Sequence, residues 1–418
     1  MIKCRINNEP ATKIISYGKM PIANGFLQQE VFSKEYFFEL AVAFSSKSKM
    51  FQLIEQPDPK MMFHENYAFF SSTSTKMAEH FKKMAEHYLN NFIQTPKAAF
   101  VVELGSNDGI MLRHFAQSGI KHLGIEPSLN VAEVANQNGV NTISEFFGVE
   151  VAHKVEQEYG KADLISAANV MCHIPDLASV AKGVNILLKE KGIFVFEDPY
   201  LGDVIQKTSY DQIYDEHVYI FSVQSVINAF ASYGLEVFHV EPQITHGGSM
   251  RYYLCRHGAY AIRDSVSRQL ALETLLGLDK LETYEKFAIS CEQNKQQFIS
   301  LLKKLKIAGK RVVGYAATSK STTVLNYCSI GPDLIEYICD TTPIKQGKYS
   351  PGMHIPIKSY EDFKKDSPDY VVLFAWNHAQ EIFAKEQDFI RQGGKWIIFV
   401  PEAKVLTSED SLVSSHVV

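Results

Sequence analysis

The sequence lacks several features that would place it in a specialised class of protein. No apolar run approaches the roughly 18 residues of a membrane-spanning helix, so we expect no membrane partner. The first residues contain no apolar stretch of the kind that forms a secretory signal. The net charge of −5 supplies no excess of basic residues, which argues against a nucleic-acid partner.

The chain has few cysteines, and their spacing shows no C-x-x-C motif of a metal or redox site. Six cysteines are scattered through 418 residues, and none forms a C-x-x-C pair. This spacing is typical of free thiols in a reducing compartment, so we expect a cytoplasmic protein. The chain is 46% hydrophobic and 12% aromatic, which excludes a disordered or collagen-like protein. At roughly 100–200 residues per domain, the length predicts two or three domains.

Short apolar runs alternate with helical patterns along most of the chain. Residues 76–92 have apolar side chains at helical spacing, and the run 98–105 is typical of a buried parallel strand that ends in glycine. Further strand-like runs follow at 121–125, 163–167 and 192–197, and a second, shorter alternation begins at residue 310. This alternation predicts doubly wound α/β units.

We therefore expect a mixed α/β fold in four segments. A small β-rich N-terminal domain precedes a central, doubly wound Rossmann-like domain that carries a polar, aromatic insert. Connecting helices and a smaller Rossmann-like C-terminal domain follow. The segments are residues 1–75, 76–261 with the insert at 200–260, 262–308 and 309–418.

A glycine-rich turn follows the first strand of the central domain. The pattern E-x-G-x-x-x-G runs from Glu103 to Gly109, and its glycines allow a ligand to approach the backbone at the strand ends. Ser106 stands near the second glycine position of a dinucleotide site, so the turn favours a nucleoside without pyrophosphate, namely S-adenosylmethionine. Glu126, about 20 residues on, can accept the ribose hydroxyls. The alternative is an ordinary strand-to-helix turn. The predicted cofactor-binding residues are Glu103, Gly105, Ser106, Asn107, Gly109, Glu126, Pro127, Asn169 and His173.

The densest group of titratable side chains lies in residues 210–219, just after a predicted strand end. Histidine is the usual proton acceptor at neutral pH, so His217 is the candidate base. Glu216 can orient its imidazole, and the hydroxyl of Tyr214 can hold a ketone oxygen. The alternative is a solvated loop with packed aromatic residues.

Two further turns predict a substrate site. Thr245–Arg251 has paired glycines, and Arg251 can clamp a phosphate. Gly314–Thr322 joins a predicted strand to a helix, whose N-terminus attracts phosphate, and Lys320 is the candidate pyrophosphate ligand. A plain hairpin and a structural turn are the alternatives. The predicted substrate-binding residues are His246, Gly247, Arg251, Ser319, Lys320 and Asn377.

Three motifs in a shared order resemble the sugar-nucleotide C-methyltransferase family. They are Y-x-E-H at 214–217, H-G-G-S-x-R at 246–251 and G-Y-x-A-x-x-K at 314–320, and the segments 63–69 and 340–357 are also similar. The resemblance implies a zinc-binding N-terminal domain, a central S-adenosylmethionine domain and a Rossmann-like C-terminal domain. It also implies a catalytic role for His217, with Tyr67, Tyr214 and Glu216 around the sugar.

The chain departs from that family at the zinc site. The four ligand positions correspond to Cys4, Asn7, Ser45 and Ser48, so one thiol of four remains. A structural zinc site needs about four nitrogen or sulfur donors, and we therefore expect no zinc. Asp215 also stands where a histidine is common in the family.

The resulting hypothesis is C-methylation of a nucleotide-linked 4-keto-deoxysugar, at C-3′. His217 removes the proton next to the ketone, Tyr214 or Tyr67 stabilises the enolate, and the carbon then takes the methyl group. The nucleotide of the substrate can be thymidine, guanosine or cytidine, and the protein can be a monomer or a homodimer. The alternatives are methyl transfer to another carbon or to oxygen or nitrogen, a NAD-dependent oxidoreductase or epimerase, and a non-catalytic sugar-nucleotide-binding protein.

Overall fold

The computed structural model describes residues 1–63, 71, 75–93 and 95–406. Three sheets organise this part of the chain, one antiparallel and two mainly parallel. The expected fold class, a β-rich N-terminal unit with two Rossmann-like α/β units, is confirmed. Along the described residues, no helix combines the length and apolar character needed to cross a membrane.

The N-terminal unit is an antiparallel sheet whose apolar residues pack against a long helix from later in the chain. Phe44 and Phe51 lie on neighbouring strands, and both rings stack on Tyr284, with centroids 4.0 and 5.5 Å apart. The elements are β1 (Thr12–Pro21), β2 (Phe37–Ser45) and β3 (Met50–Leu53), followed by α1 (Pro59–Met62).

The central sheet has seven strands, of which five are parallel. Its strands are β4 (Phe100–Leu104), β5 (Lys121–Ile125), β6 (Thr142–Ile143), β7 (Ala162–Ala168), β8 (Leu188–Pro199), β10 (Leu235–Gln243) and β11 (Ser249–Arg256). The short β9 (Tyr219–Ile220) joins the N-terminal sheet instead. The helices are α2 (Thr75–Phe92), α3 (Leu112–Gln117), α4 (Leu129–Gln137), α5 (Val149–Tyr159), α6 (Leu177–Leu187), α7 (Leu201–Lys207) and α8 (Val223–Phe230).

The segment predicted as a polar insert contributes two strands to this sheet. β10 and β11 pair antiparallel, and β11 pairs antiparallel with β8. The register places Arg251 opposite Glu197. This pairing brings the turn at 245–248 to the end of the sheet where β4, β5 and β7 also end.

Two helices connect the central and C-terminal sheets. They are α9 (Asp264–Leu276) and α10 (Leu281–Ile307). Buried residues of α10 recur every three or four positions at Tyr284, Phe287, Cys291, Asn294, Phe298 and Leu302, which forms one continuous packed stripe. The helix therefore joins the N-terminal sheet to the C-terminal unit.

The C-terminal sheet has the order β14-β13-β12-β15-β16-β17 and is parallel except for its last strand. Chain order reverses on either side of β12, and ligands of open α/β sheets bind at such a switch point. The strands are β12 (Val312–Tyr315), β13 (Ile338–Asp340), β14 (Ile357–Ser359), β15 (Tyr370–Leu373), β16 (Lys395–Ile398) and β17 (Lys404–Val405). The helices are α11 (Ser319–Tyr327), α12 (Tyr360–Lys365), α13 (Ala379–Lys385) and α14 (Gln387–Arg391).

Candidate active site

A cavity of about 520 Å³ lies where the three sheets meet. Its wall contains the strand ends of the central sheet, the first residues of α11 and a turn of the N-terminal unit. Twelve of the residues predicted from sequence line it: Gly105, Asn107, Glu126, Pro127, Asn169, His173, Tyr214, Glu216, His246, Ser319, Lys320 and Asn377. The fold therefore brings predicted cofactor, catalytic and substrate residues to one space.

The glycine-rich turn has the backbone geometry that its sequence requires. Gly105 has φ +61°, and a Cβ there would lie 2.4 Å from Val170, so a side chain does not fit. Gly109 is similarly crowded by Val140, with φ +78°. Glu103, Ser106 and Gly109 are buried and do not line the cavity.

Glu126 is held at the cavity wall by backbone donors. Its carboxylate accepts the backbone N–H of Asn107 at 3.0 Å and that of Ser128 at 2.8 Å. Burial raises the pKa of Glu126, and these two hydrogen bonds oppose the rise. A fixed carboxylate beside a glycine-walled turn fits the ribose of a nucleoside cofactor. The residues present therefore suit S-adenosylmethionine.

The predicted base lies behind a tyrosine. The hydroxyl of Tyr214 donates to Nε2 of His217 at 2.7 Å, and Nδ1–H of His217 donates to the carbonyl of Gln212, also at 2.7 Å. A carbonyl only accepts, so the proton lies on Nδ1 and Nε2 is the acceptor. Burial lowers the pKa of His217 well below its usual value, which keeps the ring neutral. Tyr214 lines the cavity, whereas His217 is covered by it.

Two neighbouring carboxylates are held by consecutive residues of the N-terminal unit. The side-chain amide of Asn24 donates to Glu216 at 2.7 Å. The backbone N–H of Ala23 lies 3.2 Å from both carboxylate oxygens of Asp215. Burial raises the pKa of Asp215, and the charge of Glu216 adds to this rise. Sequence reasoning missed Asn24, since no local pattern links residues 192 positions apart.

The C-terminal unit supplies two lysines. Lys320 Nζ donates to the carbonyl of His246 at 3.1 Å and to Asn377 at 3.2 Å. Burial lowers the pKa of Lys320 to about 8, and Asp211 partly opposes this. Lys345 also lines the cavity, and burial lowers its pKa. Lys320 therefore stays largely protonated at neutral pH, and we call this side of the cavity the cationic wall.

Arg251 and Gly247, predicted in the substrate site, do not line the cavity. Nε and Nη2 of Arg251 both donate to Glu197, at 3.0 and 2.8 Å, because the register of β8 and β11 places these residues side by side. Gly247 has no room for a side chain, since a Cβ would lie 2.2 Å from Trp376. Tyr67, predicted near the sugar, falls outside the described residues.

The positions of the expected zinc ligands do not fit zinc. Cys4 Sγ lies 3.1 Å from Ser48 Oγ, and the backbone N–H of Ser48 donates to Ser45 Oγ at 3.4 Å. Asn7 is exposed, and its amide oxygen accepts the backbone N–H of Glu9. One thiol, two hydroxyls and an exposed amide do not form a zinc ligand set. Hydrogen bonds and packing stabilise this corner of the fold.

Comparisons with known proteins cover nearly the whole chain. Three family models match the chain. A model described as "Putative zinc binding domain" matches residues 4–63, a methyltransferase domain matches 77–240, and a C-methyltransferase C-terminal domain matches 244–401. C-methyltransferase NovU of Streptomyces niveus is 33% identical over 98% of this chain and 98% of its own. A ubiquinone biosynthesis O-methyltransferase of Acinetobacter baylyi is 33% identical over 23% of this chain and 42% of its own.

Solved methyltransferases resemble one part of the chain. Magnesium protoporphyrin IX methyltransferase of Synechocystis PCC 6803 is 12% identical with a TM-score of 0.34, over 43% of this chain and 83% of that structure. The match to NovU extends from end to end and contains both the cofactor turn and the Tyr214–His217 segment. The chain belongs to the family of S-adenosylmethionine-dependent C-methyltransferases that includes NovU.

Proposed function

We propose that the protein methylates C-3′ of a nucleotide-linked 4-keto-deoxysugar. The hydrogen-bonded pair of Tyr214 and His217 carries this proposal, because Tyr214 lines the same cavity as the cofactor turn and the cationic wall, with His217 directly behind it. A carbon beside a ketone is acidic, and a neutral imidazole behind a phenol can accept its proton. We further propose the segments 1–75, 76–261, 262–308 and 309–418 as domains, and a cytoplasmic location.

The proton moves through the tyrosine. As the C-3′–H bond breaks, its proton passes to the oxygen of Tyr214 while the tyrosine proton passes to Nε2 of His217. The electron pair moves onto the 4-keto oxygen and leaves an enolate. S-adenosylmethionine supplies an electrophilic methyl group when bound. Glu216, held by Asn24, orients the sugar.

The nucleotide part of the proposed sugar substrate faces the C-terminal unit. Lys320 presents positive charge to the cavity that Lys345 also lines, and Ser319 begins α11 beside Lys320. A diphosphate carries charge of the opposite sign, and a helix N-terminus adds N–H donors. The nucleotide diphosphate therefore lies along this wall, with the sugar directed towards Tyr214. We still predict a thymidine, guanosine or cytidine diphosphate sugar as the substrate. The predicted oligomeric state is a monomer or a homodimer.

Product analysis tests the proposal. The protein is incubated with S-adenosylmethionine and thymidine, guanosine or cytidine diphosphate 4-keto-deoxysugars, and the product is examined by NMR. We expect a new methyl group on C-3′. In D₂O without the cofactor, we expect deuterium to enter at the same carbon. A methyl group on oxygen, nitrogen or another carbon would contradict the proposed position.

A pair of histidine variants tests the base. His217→Asn should lower turnover by about 10²–10⁴-fold, the usual contribution of a positioned acid–base group, and keep binding of S-adenosylhomocysteine. His153→Asn is the matched control, since that side chain is 55% exposed on α5. Full activity of His217→Asn would refute the assignment.

A further inference from the structure

Three donor atoms that thiophilic metal ions prefer converge behind the cavity wall. Cys172 Sγ and one ring nitrogen each of His173 and His217 all lie within 4.8 Å of one another. The three side chains are buried. In the part of the chain that the structure describes, this is the one such group of histidine, cysteine or carboxylate side chains. We call it the thiol–imidazole cluster.

One local turn and one tertiary contact bring these donors together. Cys172 and His173 belong to a single turn of 3₁₀ helix, residues 171–173, after β7. His217 comes from the segment after α7, and its ring stacks on His173 with centroids 5.3 Å apart and planes 22° apart. The stacking keeps both imidazoles beside the thiol. The cluster is therefore built by tertiary packing and not by a sequence motif.

Two further observations indicate a ligand. His173 lines the cavity and is only 8% exposed. Its Nε2 is buried and has no hydrogen-bond partner among the described residues. His217 donates Nδ1–H to a backbone carbonyl, which is the usual support of a metal-binding histidine and leaves Nε2 to coordinate. His173, which carries the buried orphan nitrogen, and His217, whose imidazole is oriented, are both members of the cluster.

We propose that the thiol–imidazole cluster binds one Zn²⁺ ion, or a similar thiophilic dication, and that this ion inhibits methyl transfer. Coordination forms one sulfur–metal and two nitrogen–metal bonds, and the thiol proton of Cys172 passes to solvent. The metal takes the Nε2 lone pair that otherwise accepts the Tyr214 proton. Water fills the fourth position towards the cavity, as in zinc sites with three protein ligands.

The geometry requires a small contraction. Zinc bonds of about 2.3 Å to sulfur and 2.0–2.1 Å to nitrogen place tetrahedral donors roughly 3.3–3.6 Å apart. Donor pairs at the 4.8 Å limit must therefore approach by up to about 1.5 Å, and we expect rotation of the three side chains to provide this movement. The hydrogen bond between Tyr214 and His217 breaks during this movement. The inhibitory part of this inference rests on the proposed function, whereas metal binding does not.

Metal titration with two cysteine variants tests the site. Chelator-treated protein is titrated with Zn²⁺ by calorimetry and with Co²⁺ by absorption. We expect one metal per chain and a sulfur-to-cobalt charge-transfer band. Cys172→Ser should lose the band and weaken binding at least tenfold. Cys4→Ser, which alters the remaining thiol of the expected zinc-ligand positions, should change neither. Loss of binding in Cys4→Ser alone, or no binding in the wild type, overturns the proposal.

A ¹⁵N NMR measurement and an activity assay test the proposed inhibition by zinc. In protein labelled with ¹⁵N-histidine, Zn²⁺ should shift the Nε2 resonance of His217, whatever the substrate. Stoichiometric Zn²⁺ should abolish turnover, and a chelator should restore it. An unshifted Nε2 signal, or full turnover with bound zinc, overturns the inhibition. Zinc binding with a shifted signal in a protein that methylates no nucleotide sugar contradicts the proposed function and leaves the metal site intact.

Discussion

Replacing Asn24 by alanine removes a single hydrogen bond between the N-terminal unit and the cavity. The amide of Asn24 donates to Glu216 at 2.7 Å, and this contact is partly buried. The backbone N–H of the preceding residue, Ala23, still holds Asp215, and the hydroxyl of Thr322 still donates to the carbonyl of Ala23. The turn therefore stays in place in the variant, and the effect is confined to the Glu216 carboxylate.

The expected loss follows from the type of bond. A hydrogen bond to a charged group contributes about 1.5–3 kcal/mol. At about 1.4 kcal/mol per tenfold change, its removal should lower kcat roughly 10–150-fold when Glu216 must hold one orientation in the transition state. The free energy of unfolding should change by less, because Ala23 retains its contacts.

An isosteric variant sharpens the test. Asn24→Asp replaces the donor with a second carboxylate 2.7 Å from Glu216, so it should lower kcat more than Asn24→Ala at neutral pH. Like charges raise the pKa of a carboxyl group, and the protonated pair restores a hydrogen bond. The activity of Asn24→Asp relative to wild type should therefore rise as the pH falls.

Steady-state kinetics, with a matched control variant, test the predicted loss of kcat. Asn91→Ala serves as the control, because Asn91 is exposed on α2 and its side-chain amide bonds to His87, one turn earlier in the same helix. Its kcat should equal that of wild type. A kcat for Asn24→Ala within threefold of wild type, with normal folding by circular dichroism, would refute the reasoning.

Three other substitutions test the cationic wall, the cofactor turn and the core. Lys320 has a pKa of about 8, so it is charged below this pH and neutral above it. KM for the nucleotide sugar should rise as the pH passes 8, and Lys320→Gln should remove this dependence. Gly105→Ala should abolish S-adenosylhomocysteine binding by calorimetry, since the new Cβ meets Val170 at 2.4 Å. Phe44→Ala should cost about 3–5 kcal/mol of unfolding free energy by urea denaturation, because Phe44 is fully buried.

The sequence by itself determined the fold class and the cofactor. Parallel strands, the glycine turn and the acidic residue on the next strand are local patterns, and local patterns are visible in sequence because spacing dictates which residues share an element. Gly105 and Glu126 both line the cavity. The order of three motifs also indicated the methyltransferase family that the comparisons show.

Only the tertiary structure determined which residues of the candidate site contact one another. Sequence placed His217 as the base, but packing places Tyr214 between it and the cavity. Arg251 was expected to clamp a phosphate, yet strand pairing brings it to Glu197. Asn24 reaches Glu216 across 192 positions. Such contacts depend on how whole elements pack, and the free energy of that packing is a sum over many residues that no short pattern contains.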